Sequence, residues 1–229
     1  MITERIAAVR ERVQRAAARA GRDPADVTVV AVSKNYPPTD VRTALAAGLA
    51  DFGENRVQEA EAKAVALADC RERLRWHFIG HLQSNKARRV LAFAELIHSV
   101  DEVELAERLD RVAGEQSRVM RVLVQVDLAG EATKSGVPAA RLRETLGRMR
   151  QLPRLCVEGL MLLPPYEEEA ERVRPLFRRL RELRDDALAA GLLAGGELSM
   201  GMSHDLDVAV EEGATLVRVG TAIFGERAP

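Results

Sequence analysis

Residues 29–38 read Val-Val-Ala-Val-Ser-Lys-Asn-Tyr-Pro-Pro, an apolar run that ends in polar residues and two prolines. The run predicts a buried strand, because β-branched residues dominate it and the prolines must interrupt it. Lys34 ends this strand, and the only other lysines of the chain are Lys63, Lys86 and Lys134. A partly desolvated lysine at such a strand end points into a site and acts as a nucleophile towards aldehydes. A surface lysine with its stem laid along the strand end is the alternative, and the run alone does not separate the two.

Strand-like and helix-like segments alternate on both sides of this run. A leading helix is predicted over residues 2–20, where Ile2, Ile6, Val9 and Val13 recur at helical spacing. The predicted strands are residues 27–33, 51–53, 76–79, 95–99, 119–126, 155–163, 198–199 and 216–220. The segments between them favour helices, among them 39–47, 56–67, 85–91, 102–113, 138–149 and 204–212.

This strict alternation predicts parallel strands joined by right-handed crossovers. About eight strand–helix units in 229 residues is the size of a (β/α)8 barrel. We therefore predict one α/β domain over residues 1–229, a single (β/α)8 TIM barrel with an extra N-terminal helix. An open, doubly wound sheet is the alternative architecture.

Composition excludes several classes of function. Lys and Arg number 34 against 35 Asp and Glu, so the sequence gives no electrostatic case for binding nucleic acid or a membrane surface. No run is long enough to cross a bilayer, and we do not expect the charged N-terminus to be a secretory signal. The two cysteines and four histidines show no metal-ligand spacing, so no metal site is predicted. We expect a cytoplasmic protein.

Polar, glycine-containing segments follow the predicted strands, at the end where barrels carry their sites. The last two of these loops contain Ser203, Gly220 and Thr221, whose hydroxyls and neighbouring amides suit an anion. Ser203 also suits the N-cap of the following helix, which is the purely structural alternative. A phosphate site opposite Lys34 suggests a phosphorylated aldehyde, with pyridoxal 5'-phosphate (PLP) first and phosphosugar aldehydes second.

Arg218 lies two residues before Gly220 in the last strand, so both should face the same side. An arginine aimed into the barrel mouth needs an acceptor. One candidate is a barrel carboxylate, and the other is the pyridine nitrogen of PLP. Because arginine stays protonated, it would keep that nitrogen unprotonated and weaken the ring as an electron sink.

Several motifs run in order along almost the whole chain. They are residues 31–34 (Ala-Val-Ser-Lys), 52–55 (Phe-Gly-Glu-Asn), 57–59 (Val-Gln-Glu), 76–86 (Trp-His-Phe-Ile-Gly-His-Leu-Gln-Ser-Asn-Lys), 99–101 (Ser-Val-Asp), 159–161 (Gly-Leu-Met), 198–203 (Leu-Ser-Met-Gly-Met-Ser) and 217–225 (Val-Arg-Val-Gly-Thr-Ala-Ile-Phe-Gly). With them the chain resembles the YggS/PROSC family of pyridoxal phosphate homeostasis proteins.

The resemblance implies a fold-type III barrel like the N-terminal domain of alanine racemase. It implies a Schiff base between PLP and Lys34, Asn55 near the ring, Arg218 on the pyridine nitrogen, and a phosphate held by the last two loops. The residues implied to bind the cofactor are Lys34, Asn55, Met161, Ser199, Ser203, Arg218, Gly220 and Thr221.

The family implies a protein of intracellular vitamin B6 homeostasis that holds PLP and releases or delivers it, with no catalytic residue assigned. Racemases of this fold add a β domain and a tyrosine from a partner subunit, which we do not expect here, so a monomer is favoured. A weak amino-acid racemase is the alternative, with Tyr36 or His81 as second base. A third hypothesis is an interaction module whose basic cluster, residues 86–89, docks on apo forms of PLP-dependent enzymes.

Overall fold

The structure, a computed structural model, describes residues 1–130 and 135–226. The strands within these ranges are β1 (Thr28–Val32), β2 (Asp51–Glu54), β3 (Arg75–Phe78), β4 (Ala94–Val100), β5 (Met120–Asp127), β6 (Val137–Pro138), β7 (Leu155–Met161), β8 (Glu197–Met202) and β9 (Leu216–Val219). The α-helices within them are α1 (Ile2–Arg19), α2 (Pro38–Ala46), α3 (Val57–Ala66), α4 (Ala87–Leu91), α5 (Val103–Glu115), α6 (Leu142–Met149), α7 (Arg174–Ala189), α8 (Leu206–Glu211) and α9 (Thr221–Phe224).

Eight of the described strands form a closed parallel barrel, in the order β1-β2-β3-β4-β5-β7-β8-β9. β9 pairs with β1, and the pairing of β4 with β5 completes the ring. The predicted barrel and the extra N-terminal helix are confirmed, and the open doubly wound sheet is wrong because such a sheet would leave two unpaired edges. The two-residue β6, which the sequence did not reveal, pairs with the carboxyl end of β5.

The segment around residues 198–205 differs from the prediction. β8 continues through Met202, whereas the sequence predicted that the strand would end at Ser199. α8 begins at Leu206 with Asp205 as its N-cap residue, so the prediction of a Ser203 N-cap is wrong. The physical reason is that the Asp205 carboxylate accepts the backbone N–H of Met202 at 2.6 Å, which leaves the Ser203 hydroxyl free to face elsewhere.

The barrel has an outer apolar layer between strands and helices and a small apolar cluster inside the ring. The inner cluster consists of Val30, Leu96, Leu123, Met161 and Leu216. Each buried side chain of this kind stabilises the fold by about 1.5–3 kcal/mol. Polar side chains fill the rest of the interior, and several of them are almost fully buried. The barrel interior beneath the mouth is therefore lined in part by buried polar side chains.

Helix α1 lies across α8 and α9 and fixes the last two strand–helix loops. Its buried face repeats every three or four residues and carries Ile6, Val9 and Val13. From the same helix, the Arg12 guanidinium donates to the Asp207 carboxylate and, at 2.8 Å, to the backbone carbonyl of Ser203. The predicted leading helix thus braces the loop that follows β8.

Candidate functional site

A pocket of about 590 Å³ opens at the carboxyl ends of the barrel strands. Seven of the eight residues that the sequence nominated line it, namely Lys34, Asn55, Met161, Ser203, Arg218, Gly220 and Thr221. The eighth, Ser199, is fully buried behind Arg218 and does not belong to the pocket wall. These seven residues lie just after β1 and β2, in β7 and β9, and in the two final loops, and the barrel brings them to one mouth.

Lys34 follows β1 in a loop whose backbone is held from both sides. The Ser33 hydroxyl donates to the Glu54 carboxylate at 2.6 Å. The backbone N–H of Asn35 donates to Glu59 Oε1 at 2.5 Å. Asn35 adopts a left-handed backbone with φ 66°, a conformation that asparagine tolerates better than most residues. These contacts direct the half-buried side chain of Lys34 into the pocket.

Lys63 is buried behind this loop and is fully engaged. Its Nζ donates to the backbone carbonyl of Ser33 at 2.5 Å, to Glu54 Oε1 at 2.6 Å and to Glu59 Oε1 at 2.7 Å. These three acceptors use the three protons of an ammonium. Burial raises the pKa of Glu54, although the hydrogen bonds from Lys63 and Ser33 oppose that effect. Sequence reasoning missed this cluster, for which the Glu59–Lys63 spacing of four residues was the available signal.

Asn55 places an unsatisfied acceptor at the pocket. Its Oδ1 atom is buried and has no hydrogen-bond partner among the described residues. The backbone of Asn55 lies against Gly80, where a Cβ atom would come within 2.3 Å of the Asn55 carbonyl oxygen. Glycine is therefore required at position 80 for the ends of β2 and β3 to approach each other. A polar ligand in the pocket would satisfy the amide of Asn55.

Arg218 lies at the floor of the pocket and is 4% exposed. Its Nη1 donates to Ser199 Oγ at 2.6 Å, and its Nη2 donates to the backbone carbonyl of Leu162 at 2.8 Å. Burial lowers the pKa of Arg218 to about 10, so the guanidinium remains charged at neutral pH. Two of its five N–H groups are used in these bonds, which leaves donors for an acceptor in the pocket.

The loops after β8 and β9 meet at the other side of the pocket. Ser203 Oγ accepts the backbone N–H of Ala222 at 3.3 Å, so the two loops contact each other directly. Gly220 and Thr221 stand beside them in the pocket wall. Hydroxyls and backbone amides brought together in this way suit the oxygens of a phosphate.

The remaining candidates have other roles in the structure. The Tyr36 hydroxyl donates to the Gly225 carbonyl at 2.6 Å, and its ring stacks on Phe224. His81 lines the pocket but is largely exposed, with Nδ1 3.7 Å from Asp101 Oδ2.

In the basic cluster of residues 86–89, Arg88 pairs with Glu115 and Arg89 pairs with Glu61. Lys134 lies outside the described residues. Over residues 1–130 and 135–226, no group of acidic, histidine and cysteine side chains has the geometry to hold a metal ion. None of the helices there combines the length and apolar character that a membrane span needs.

His77 and His98 are buried and hydrogen-bonded to each other, with His77 Nδ1 2.8 Å from His98 Nε2. Hydrogen bonds through Ser199 connect the two histidines to Arg218 at the pocket floor. Ser199 Oγ lies 2.8 Å from His98 Nδ1 and accepts a hydrogen bond from Arg218.

Comparison with known proteins agrees with this geometry. The model of the family "Alanine racemase, N-terminal domain" matches residues 5–228. A protein of Aquifex aeolicus named "Pyridoxal phosphate homeostasis protein" is 47% identical over 224 residues, which are 98% of this chain and 97% of that protein. The structure of PipY from Synechococcus elongatus with PLP bound superposes with a TM-score of 0.87 at 43% identity, covering 98% of this chain and all of PipY. Its structure without PLP gives a TM-score of 0.88 at 44% identity with the same coverage.

Proposed function

The chain belongs to the family of pyridoxal phosphate homeostasis proteins, and from this premise we propose that it binds PLP in the pocket at the mouth of its barrel. PLP is bound in the structure of the relative PipY, which supports this assignment. The observation that carries it is one pocket lined by a lysine, a buried arginine with spare donors and two hydroxyl-bearing loops. An aldehyde, a ring nitrogen and a phosphate are the complementary groups of this cofactor.

Lys34 is the amine that we assign to the cofactor's aldehyde. Its side chain lines the pocket, and no ion pair engages it among the described residues. Lys63 has its three protons bound to acceptors and does not line the pocket. In the proposed step, Lys34 Nζ attacks the aldehyde carbon, a carbon–nitrogen double bond forms, and the aldehyde oxygen leaves as water. When bound, the cofactor supplies an electron-accepting ring and an aldehyde that is stored in this Schiff base.

The other residues bind and orient the cofactor. Ser203, Gly220 and Thr221 would hold the phosphate, and Asn55 would hydrogen-bond at the ring. Arg218 would donate to the pyridine nitrogen, which keeps that nitrogen free of a proton because a guanidinium has no acceptor to share. Met161 lines the pocket as an apolar wall.

We propose homeostasis, meaning reversible storage and delivery of the cofactor, as the role of this binding. Two-base racemisation needs a second acid or base opposite Lys34. The Tyr36 hydroxyl is committed to the Gly225 carbonyl, and the His81 ring is mostly in solvent, so neither is poised for that role. Delivery to apo-enzymes through residues 86–89 is less favoured, since two of the cluster's arginines already pair with glutamates.

The experiment is to add PLP, reduce with borohydride and map the modified lysine by peptide mass spectrometry. We expect a visible absorbance band, its loss on reduction, and a reduced adduct on Lys34. Lys34→Ala should abolish the band, and Lys86→Ala serves as the matched control because Lys86 does not line the pocket. An adduct on another lysine would refute the assignment of Lys34. Absence of any PLP binding would refute the proposed function itself.

A further inference from the structure

A chain of hydrogen-bonded, buried polar side chains runs from the pocket floor down through the barrel interior. We call this chain, which consists of Arg218, Ser199, His98, His77 and Asp51, the buried file. Arg218 Nη1 lies 2.6 Å from Ser199 Oγ, which lies 2.8 Å from His98 Nδ1. His98 Nε2 lies 2.8 Å from His77 Nδ1, and His77 Nε2 lies 3.0 Å from Asp51 Oδ1. The five residues come from five different strands, and each is at most 7% exposed.

The lower end of the file is an ionised carboxylate. Arg75 donates to both oxygens of Asp51, at 2.8 and 2.6 Å, and its own side chain reaches solvent at the amino-terminal end of the barrel. Burial opposes the charge on Asp51, but the hydrogen bonds from His77 and Arg75 outweigh it and lower the pKa of Asp51. The upper end is Arg218, which carries only donors.

These two ends fix the direction of every hydrogen bond between them. Ser199 Oγ accepts from Arg218, so its single proton is donated to His98 Nδ1. His98 then carries its proton on Nε2 and donates to His77 Nδ1. His77 in turn carries its proton on Nε2 and donates to Asp51. Both imidazoles are therefore neutral and in the Nε2–H tautomer.

The opposite arrangement is disfavoured at Ser199. A second proton on His77 would make Nδ1 a donor to His98, and His98 would donate to Ser199. The Ser199 hydroxyl would then receive two donors, and its own proton would lose the acceptor it has now. A buried hydroxyl without an acceptor is costly, so the file holds one direction only.

We propose that Ser199, His98 and His77 are positioning residues that hold Arg218 in the orientation that recognises the ring nitrogen of the cofactor. Ser199 and the Leu162 carbonyl hold two corners of the guanidinium, so its plane is fixed and the remaining N–H groups stay turned to the pocket. Without the acceptor on His98, the Ser199 hydroxyl turns freely and no longer keeps its lone pair on Arg218. The part of this inference that concerns the ligand rests on the proposed function, whereas the direction of the file does not.

The direction of the file is tested in the cofactor-free protein by nitrogen-15 NMR of the histidine rings. We expect His77 and His98 to show the Nε2–H pattern at neutral pH. The exposed rings of His81 and His204 provide internal references, and His77→Gln and His98→Gln assign the signals. An Nδ1–H pattern on either buried ring, or an imidazolium signal from either at neutral pH, would overturn the proposal.

The coupling to the ligand is tested with two probes, PLP and its carbocyclic analogue in which C–H replaces the ring nitrogen. We expect the natural chain to bind PLP about tenfold or more tightly than the analogue, because the analogue removes the acceptor of a charge-assisted hydrogen bond. His98→Leu removes both the acceptor and the donor of the ring and should bring this preference close to one. His98→Gln, whose amide offers both, should retain most of it.

Two controls keep the outcomes separate. Thr221→Val, in the phosphate loop, should weaken both ligands by the same factor and leave the preference intact. Ser199→Ala, a small truncation that leaves both histidines in place, gives the same comparison should His98→Leu not fold. A preference that survives both His98→Leu and Ser199→Ala would refute the positioning role. Failure of PLP to bind the natural chain would refute the proposed function, while the NMR result would still decide the direction of the hydrogen bonds.

Discussion

Replacing Lys63 by methionine should destabilise the fold strongly, although Lys63 does not line the pocket. The change keeps most of the side-chain volume and removes the ammonium that three acceptors share. Lys63 and Glu54 are 5% and 0% exposed, so Glu54 would be left as an uncompensated buried charge. Breaking a buried pair in this way costs roughly 3–5 kcal/mol. For a chain of this length that corresponds to a fall in the thermal midpoint of roughly 6–20 °C.

The assay is urea unfolding followed by circular dichroism, with Lys86→Met as the matched control, which should stay within about 0.5 kcal/mol of the natural chain. Adding Glu54→Gln to Lys63→Met should restore about 2 kcal/mol or more, because the stranded charge is then gone. A loss below about 1 kcal/mol in the single variant, or no recovery in the double variant, would contradict the account of the cluster.

The pH dependence of Lys63→Met gives a second measure of the same cluster. Burial already raises the pKa of Glu54 in the natural chain, and loss of the Lys63 ammonium removes a hydrogen bond that opposes this rise. A carboxyl group with a raised pKa in the folded state binds its proton more tightly there than in the unfolded chain. The difference in stability between the natural chain and the variant should therefore be smallest below the unfolded carboxyl pKa of about 4.3 and should grow as the pH rises through the folded-state pKa of Glu54 in the variant.

Two further predictions follow from burial and close contact. Burial, followed by the neighbouring His77 ring and the positive charge of Arg218, lowers the pKa of His98 well below its ordinary value. Urea-measured stability should therefore fall as the pH drops below about 6.5, by up to about 1.4 kcal/mol per pH unit. His98→Gln should flatten this slope, whereas His204→Gln, at an exposed site, should leave it unchanged. Gly80→Ala should cost about 1–3 kcal/mol and weaken PLP binding, because its Cβ would meet the Asn55 backbone. Gly147→Ala, where nothing lies within 4 Å, should be neutral or stabilising, and equal effects of the two would refute the argument.

The parts of the site that could be predicted are those written locally in the sequence. The run at β1 ends in Lys34, and the glycine-containing loops after β8 and β9 follow their strands directly, so a barrel prediction was enough to place them at one mouth. The Lys63–Glu54 pair was harder to predict, because it joins the inner side of α3 to the end of β2. The four-residue spacing of Glu59 and Lys63 was the only signal in the sequence that charged side chains share one face of α3.

The buried file lay beyond sequence reasoning because its partners are distant along the chain. His98 and Ser199 are separated by 101 positions, and they meet only because the barrel closes. An alternating strand pattern shows that a histidine faces inward, but it does not show which inward side chains share a level. That information resides in the stagger of the strands, including the register shifts in the β3–β4 and β8–β9 pairings. No single segment encodes these shifts.

The polar interior also bears on why Arg218 is found where it is. A buried guanidinium loses its hydration, and the lowering of its pKa to about 10 is the mark of that loss. A protein with a buried charged network is often no more stable than the same fold with apolar side chains of similar volume in its place. Stability of the fold therefore does not by itself account for the buried file. Its five members fit together only as a complete set, since removing one leaves a neighbour with an unused donor or acceptor. What the set provides is a charged donor held rigidly at the pocket floor. A barrel that only had to fold would have no use for such a donor, whereas the recognition of a ring nitrogen that we propose for Arg218 requires one.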